Sequence, residues 1–149
     1  MRFNLLFRTT FLYLIFSLLV PFVSHTNDLK YIFKSGSEGY NTFRIPSIIT
    51  TDSGVVLAFA EGRKNSSSDS GDIDLVLKRS TDGGKTWGDL IVIRDDSTNV
   101  CGNPSPVIDR KTGKIFLLST WNRGDDTESE IINMTSVDTR RVYVMNSID

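Results

Sequence analysis

The side chains on which many binding sites depend are nearly missing from this sequence. One cysteine, Cys101, and one histidine, His25, occur in 149 residues. A lone cysteine excludes an internal disulfide framework, and no His/Cys metal site can be assembled from such a pair. An excess of charge of one sign is missing too. Lys and Arg number 17 against 18 Asp and Glu, a formal net charge of −1, so nothing marks nucleic acid or an anionic membrane as the partner. Long hydrophobic runs are absent with one exception, residues 11–23 (FLYLIFSLLVPFV), which follow Arg2 and Arg8 and contain Pro21. That run is short for a membrane span. It reads as a signal peptide over 1–26, cut near the small residues Ser24 and Thr26, with no membrane span left after its removal and a secreted or periplasmic destination. About 120 residues then remain, enough for one modest domain with a single core.

What is present is a series of short apolar runs of period two, broken by turn residues. Strands are expected at 45–50 and 55–60 around the turn Thr51-Asp52-Ser53-Gly54, then where Ile73, Leu75 and Leu77 alternate with Asp74, Val76 and Lys78, and at 90–94. The pattern then repeats. Pro104-Ser105-Pro106-Val107-Ile108, Gly113 and residues 114–120 echo 46–50, Gly54 and 55–61, while 141–147 echo 74–80. The second unit carries a longer connection, most simply the acidic stretch from Gly124 to Glu130, in which Asp125, Asp126, Glu128 and Glu130 read as a solvated loop. Four short strands in about 60 residues is the arithmetic of a β-propeller blade.

The turn Ser80-Thr81-Asp82-Gly83-Gly84-Lys85-Thr86-Trp87 closes the first unit, and Ser147-Ile148-Asp149 starts it again. Gly83 and Gly84 permit positive φ, Asp82 can accept backbone N–H groups, and Trp87 can tuck its ring into the blade. A calcium loop is the competing reading, but its later acidic ligands are missing at the required spacing.

With Phe43-Arg44-Ile45-Pro46 followed by Ala58 to Arg63 (AFAEGR), Asp69 to Ser80 (DSGDIDLVLKRS) and the Ser-x-Asp-x-Gly-x-Thr-Trp turn, the sequence resembles the bacterial exo-α-sialidases, or neuraminidases. The resemblance implies an all-β fold, a six-bladed β-propeller of which residues 27–149 would supply fewer than two blades, with the Asp-box turns far from the active site. It also implies removal of terminal sialic acids from glycans with retention of configuration, without a cofactor or metal. The isolated stretch is expected to be inactive.

A sialic acid carries a carboxylate on its anomeric carbon, so fixed guanidinium groups are needed to hold it. Arg44 matches the first member of the family's arginine triad and Arg63 a further pocket arginine; the alternative for both is a structural ion pair. Asp69, in the Ser-rich loop, matches the general acid that protonates the glycosidic oxygen. Asp72 and Asp74 are nearby rivals that read as structural or solvated. Asn103 falls where several members of the family have an Asp near the ring substituents, and a loop-capping role is the alternative. Trp121 and Asn122 stand at the repeat position of Gly62 and Arg63 and either line the pocket or pack the core. The family's Tyr nucleophile, its Glu and two triad arginines have no matching positions here; neither Tyr40 nor Tyr143 fits that role. A non-catalytic Asp-box propeller that binds glycans or proteins is the competing function.

Overall fold

The computed structural model describes residues 29–148, so the expected signal peptide lies outside the described residues. Strands β1 (Thr42–Thr50), β2 (Val56–Arg63), β3 (Ile73–Ser80) and β4 (Ile91–Arg94) form an antiparallel meander, and β5 (Val100–Asp109), β6 (Lys114–Asn122) and β7 (Arg141–Ile148) form a second. A single parallel pair, Ile73 with Val100, joins the two. The apolar side chains the meanders turn toward each other make the larger core: Leu57, Phe59 and Leu75 from the first, Cys101, Ile115 and Leu117 from the second. Tyr40, Ala60 and Val76 bury the other face of the first meander, with Phe33 and Phe43 against them.

This second cluster explains a departure from the expected alternation. Ile73, Asp74, Leu75 and Val76 are all buried, because β3 is covered on both faces. Asp74 is therefore structural and not solvated.

The repeat is visible in the backbone. Pairing slips between Arg44 and Ser47 in β1 and between Gly102 and Ser105 in β5, and the residue before each proline takes a left-handed conformation, Ile45 at φ 52° and Asn103 at φ 53°. Such a bulge re-aims the side chains beside it. Register then fixes which residues share an end of the sheet. Thr42 pairs with Arg63, Arg63 with Ile73, Ile73 with Val100, Val100 with Asn122, and Trp121 with Arg141. Arg44, the loop at 64–72, Asn103 and the connection at 123–140 thus gather at one end. The turn after Ser80 lies at the other, since Ser80 pairs with Val56 and Val56 with Thr50.

That distal turn is held as its residue types predict. The Asp82 carboxylate accepts from Thr86 N (2.9 Å), Thr86 Oγ1 (2.6 Å) and Ser80 Oγ (2.8 Å), with Gly83 and Gly84 at φ 72° and 85°. Trp87 is half-buried, near Gly84, and stands outside both core clusters.

The acidic stretch is solvated at Asp125, Glu128 and Glu130, as expected, but it is not all loop. It contains helix α1 (Glu128–Ile132), capped at Thr127, whose hydroxyl accepts from Glu130 N while the Glu130 carboxylate accepts from Thr127 N. Asp126 is buried and accepts from Val137 N and Asp138 N. The Thr-x-x-Glu capping box was the available signal. Among the described residues no helix is long and apolar enough to cross a membrane.

Candidate functional site

The end of the sheet that collects Arg44 and the 64–72 loop holds a cluster of charges. Arg63 comes off the last residue of β2 and is 2% exposed. Glu61, two residues earlier on the same face of the strand, accepts from Arg63 Nε at 3.1 Å and Nη2 at 2.6 Å. Buried this deeply, neither charge is tolerable alone; removing one partner of such a pair costs about 3–5 kcal/mol.

The remaining donors of Arg63 reach the loop. Nη1 lies 2.7 Å from the carbonyls of both Ser67 and Ser68, and Nη2 2.7 Å from Asp69 Oδ1. Arg44, brought to the same place by the β1 bulge, puts Nη1 2.9 Å from Asp69 Oδ1. The three expected residues Arg44, Arg63 and Asp69 are thus in direct contact. Asp69 stays open to solvent, its side chain 56% exposed, as does Arg44 at 43%. Contact with Arg63 holds the Asp69 carboxyl below the usual carboxylate range; burial opposes it, and the charges of Arg63, Arg44 and Arg140 add to it. The Ser-rich loop is accordingly tied by Arg63 at two carbonyls.

Asn103 stands on the second meander at the mouth of the cluster. Its backbone N–H donates to Glu61 Oε1 at 2.9 Å and its exposed amide donates to Thr120 Oγ1 at 2.8 Å. Gly102 beside it has a physical reason to lack a side chain: a Cβ there would lie 2.4 Å from Glu61 Oε1. Trp121 packs on the larger core and donates Nε1–H to Asp96, while Asn122 is fully buried and accepts from Arg140 Nε at 3.1 Å. The core alternative therefore holds for Trp121.

Asp72 and Asp74 belong to a separate cluster. With Asp95 they bring carboxylate oxygens within 4.8 Å of one another, spacing that would suit a cation. Lys64 already supplies one: its Nζ is 3.2, 3.1 and 3.2 Å from Asp72, Asp74 and Asp95. Burial opposes the charge on Lys64, but hydrogen bonds to Asp74, Asp95 and Asp72 outweigh it and push its pKa up. The Tyr40 hydroxyl donates to Asp74 Oδ2 at 2.7 Å, and burial, then Asp74, raises the tyrosine. The arrangement is a brace under the loop in which one lysine meets three carboxylates.

The motif reading passed over Glu61 and Arg140. Glu61 had a signal, an acid placed two residues from Arg63 in an otherwise apolar strand; Arg140 had none, since only the fold carries the end of the 123–140 connection toward Asp69.

No protein-family profile matches the chain. Among curated proteins, an exo-alpha-sialidase of Arthroderma benhamiae is 36% identical over 128 residues, covering 74% of this chain and 31% of that protein. A sialidase of Micromonospora viridifaciens is 37% identical over 93 residues, covering 60% of this chain and 14% of that protein. Among solved structures, Hadza microbial sialidase Hz136 superposes with a TM-score of 0.66 at 28% identity, over 77% of this chain and 25% of that one. The chain therefore spans less than a third of the length of the relatives it matches, and its two meanders correspond to part of a sialidase β-propeller.

Proposed function

The chain belongs to the sialidase family, and from that premise we propose that residues 27–149 are the N-terminal part of a six-bladed propeller that hydrolyses terminal sialic acids from glycoconjugates with retention of configuration. The protein is exported behind its N-terminal apolar run, to the periplasm or beyond. The observation that carries the reading is the meeting of Arg44, Arg63 and Asp69 at one exposed end of the sheet.

Arg44 is the group that receives the carboxylate of the sugar, Arg63 supports the pocket from behind, and Asn103 lies at the ring's edge. The incoming carboxylate competes with Asp69 for Arg44, since both are anions seeking the same guanidinium. Asp69, released from one cation, takes a proton from solvent and passes it to the departing glycosidic oxygen. The Tyr nucleophile, its Glu and the other triad arginines come from further blades. Apolar side chains left in the open fit that need: Ile48 on β1 and Val142 and Val144 on β7 are 58%, 70% and 59% exposed. A groove of about 430 Å³ between the meanders is lined by Leu57, Phe59, Ile93, Leu117 and Met145.

In the complete propeller, Asp69→Ala should abolish cleavage of natural sialosides far more than of aryl sialosides, whose phenol leaves without protonation. Equal loss on both would remove Asp69 from the acid role. The competing reading, a propeller that binds glycans without cleaving them, draws on one observation: Asp69 is held ionised by two guanidiniums, as a structural counterion would be. Full hydrolysis of a natural sialoside by the wild-type protein would end that reading.

A further inference from the structure

An acid that touches two guanidiniums is poorly prepared to donate a proton, and the carboxylate behind it bears on how this is overcome. Glu61 is 3% exposed and accepts three hydrogen bonds, two from Arg63 and one from Asn103 N. Arg63 Nη2 is shared: it lies 2.6 Å from Glu61 Oε2 and 2.7 Å from Asp69 Oδ1. One guanidinium thus stands between two carboxylates, one buried and one in solvent. The other cations facing Asp69 are Arg44 from β1, in contact, and Arg140 from the 123–140 connection, acting through space. The second meander is shaped around the buried member, since Gly102 leaves the space that Glu61 Oε1 fills.

We propose that Glu61 is a positioning residue that divides the charge of Arg63, so that Asp69 can take up a proton once an anionic ligand has drawn Arg44 away. This rests on the reading of Asp69 as the general acid. With Arg44 engaged by the ligand, Arg63 is the contact cation left on Asp69. An undivided guanidinium at that distance keeps a carboxylate ionised. Opposed by Glu61 in a low-dielectric interior, where charge pairs interact strongly, Arg63 holds Asp69 less firmly. The proton goes to Asp69 because a protonated Glu61 would waste three donors aimed at it in the interior. Asp69 then gives the proton to the leaving oxygen and returns to its ionised form.

Glu61→Gln in the complete propeller keeps the shape of the side chain and an oxygen acceptor while deleting its charge. Asp69 then faces Arg63 undivided, its protonated form survives only to lower pH, and the alkaline limb of kcat/KM for a natural sialoside should move down by about one unit. Above that limb, activity falls about tenfold. The profile on an aryl sialoside should stay in place, and a sialic-acid analogue should bind no more weakly. Gly102→Ala pushes on the same carboxylate from the second meander and should move the limb in the same direction; it decides the matter if Glu61→Gln does not fold. An alkaline limb that stays put, or equal loss on both substrates, overturns the inference. Asp69→Ala separates the two ideas. If it spares the aryl substrate while the limb of Glu61→Gln does not move, only the role of Glu61 falls; if it cripples both substrates alike, the acid reading falls with it.

Discussion

The two meanders share a backbone and differ in chemistry. In the first, the residues around the bulge are Arg44-Ile45-Pro46-Ser47; in the second they are Gly102-Asn103-Pro104-Ser105, with the same slip and nearly the same left-handed φ before the proline. On the neighbouring strand, Glu61-Gly62-Arg63 stand where the second meander has Thr120-Trp121-Asn122. Gly62 leaves room for Tyr40, whose ring carbons would lie 2.6 Å from a Cβ there, while Trp121 at the matching position packs on the core. The bulge is thus a device of the repeat that points residues at one end of the sheet, and the charges in contact with Asp69 come from the first copy. The second copy contributes an amide, the more distant charge of Arg140 and, through Gly102, space.

The most severe way to test that division is to remove the matching buried side chain from each copy. Arg63→Met leaves Glu61 buried, with Asn103 N as its remaining hydrogen-bond donor, and should destabilise the complete propeller by about 3–5 kcal/mol. Asn122→Ala, at the matching position of the second copy, removes an uncharged side chain that accepts from Arg140 Nε and donates to the Arg123 carbonyl, and should cost about 1–3 kcal/mol. Urea denaturation of the two variants side by side reads the difference. Equal losses would mean that the charged pair is no more than another polar contact.

Legibility from sequence follows the same line. Strand positions, the repeat and the residues at the bulge could be read because period two, prolines and glycines are local signals. The contact of Arg44, Arg63 and Asp69 was accessible only through resemblance, since nothing local says that a loop will fold back onto arginines from two strands. For Asp74 the structural alternative holds and the solvated one does not, while Asp126 departs from its solvated neighbours; each is buried by partners distant in sequence, Tyr40 for one and the backbone of Val137 and Asp138 for the other. The capping box that orders the second copy's long connection was local and was overlooked under the weight of its acidic neighbours.

A milder test exchanges the left-handed residues themselves. A β-branched side chain at φ 52° crowds the following carbonyl, whereas Asn tolerates that region. Ile45→Asn should therefore stabilise the propeller by about 1 kcal/mol, and Asn103→Ile should destabilise it by a similar amount in addition to losing the bond to Thr120. Thermal melts would show opposite shifts. If both exchanges lower the melting temperature, then Ile45 is held by packing that outweighs its strain, and the two bulges are less alike than their dihedral angles indicate.

The smallest effect is expected at the far end of the first meander, where the charge is exposed. Asp82 lies in solvent, and hydrogen bonds from the Thr86 hydroxyl, then Thr86 N and the Ser80 hydroxyl, hold its carboxyl well below the usual range. A folded-state pKa below the unfolded value contributes stability that is fully present above about pH 4 and is lost as pH falls through the folded pKa. Asp82→Asn retains one oxygen acceptor and removes the charge. It should therefore lower stability modestly at pH 7, and the gap from the wild type should narrow progressively below pH 4. At the opposite end, Arg63→Met acts through a buried pair, so its penalty at pH 7 should be far larger. Denaturation curves of Asp82→Asn and the wild type taken at pH 7 and pH 3 read the narrowing. A gap for Asp82→Asn that is unchanged between those pH values would show that the turn depends on the shape of the Asp82 side chain and not on its charge.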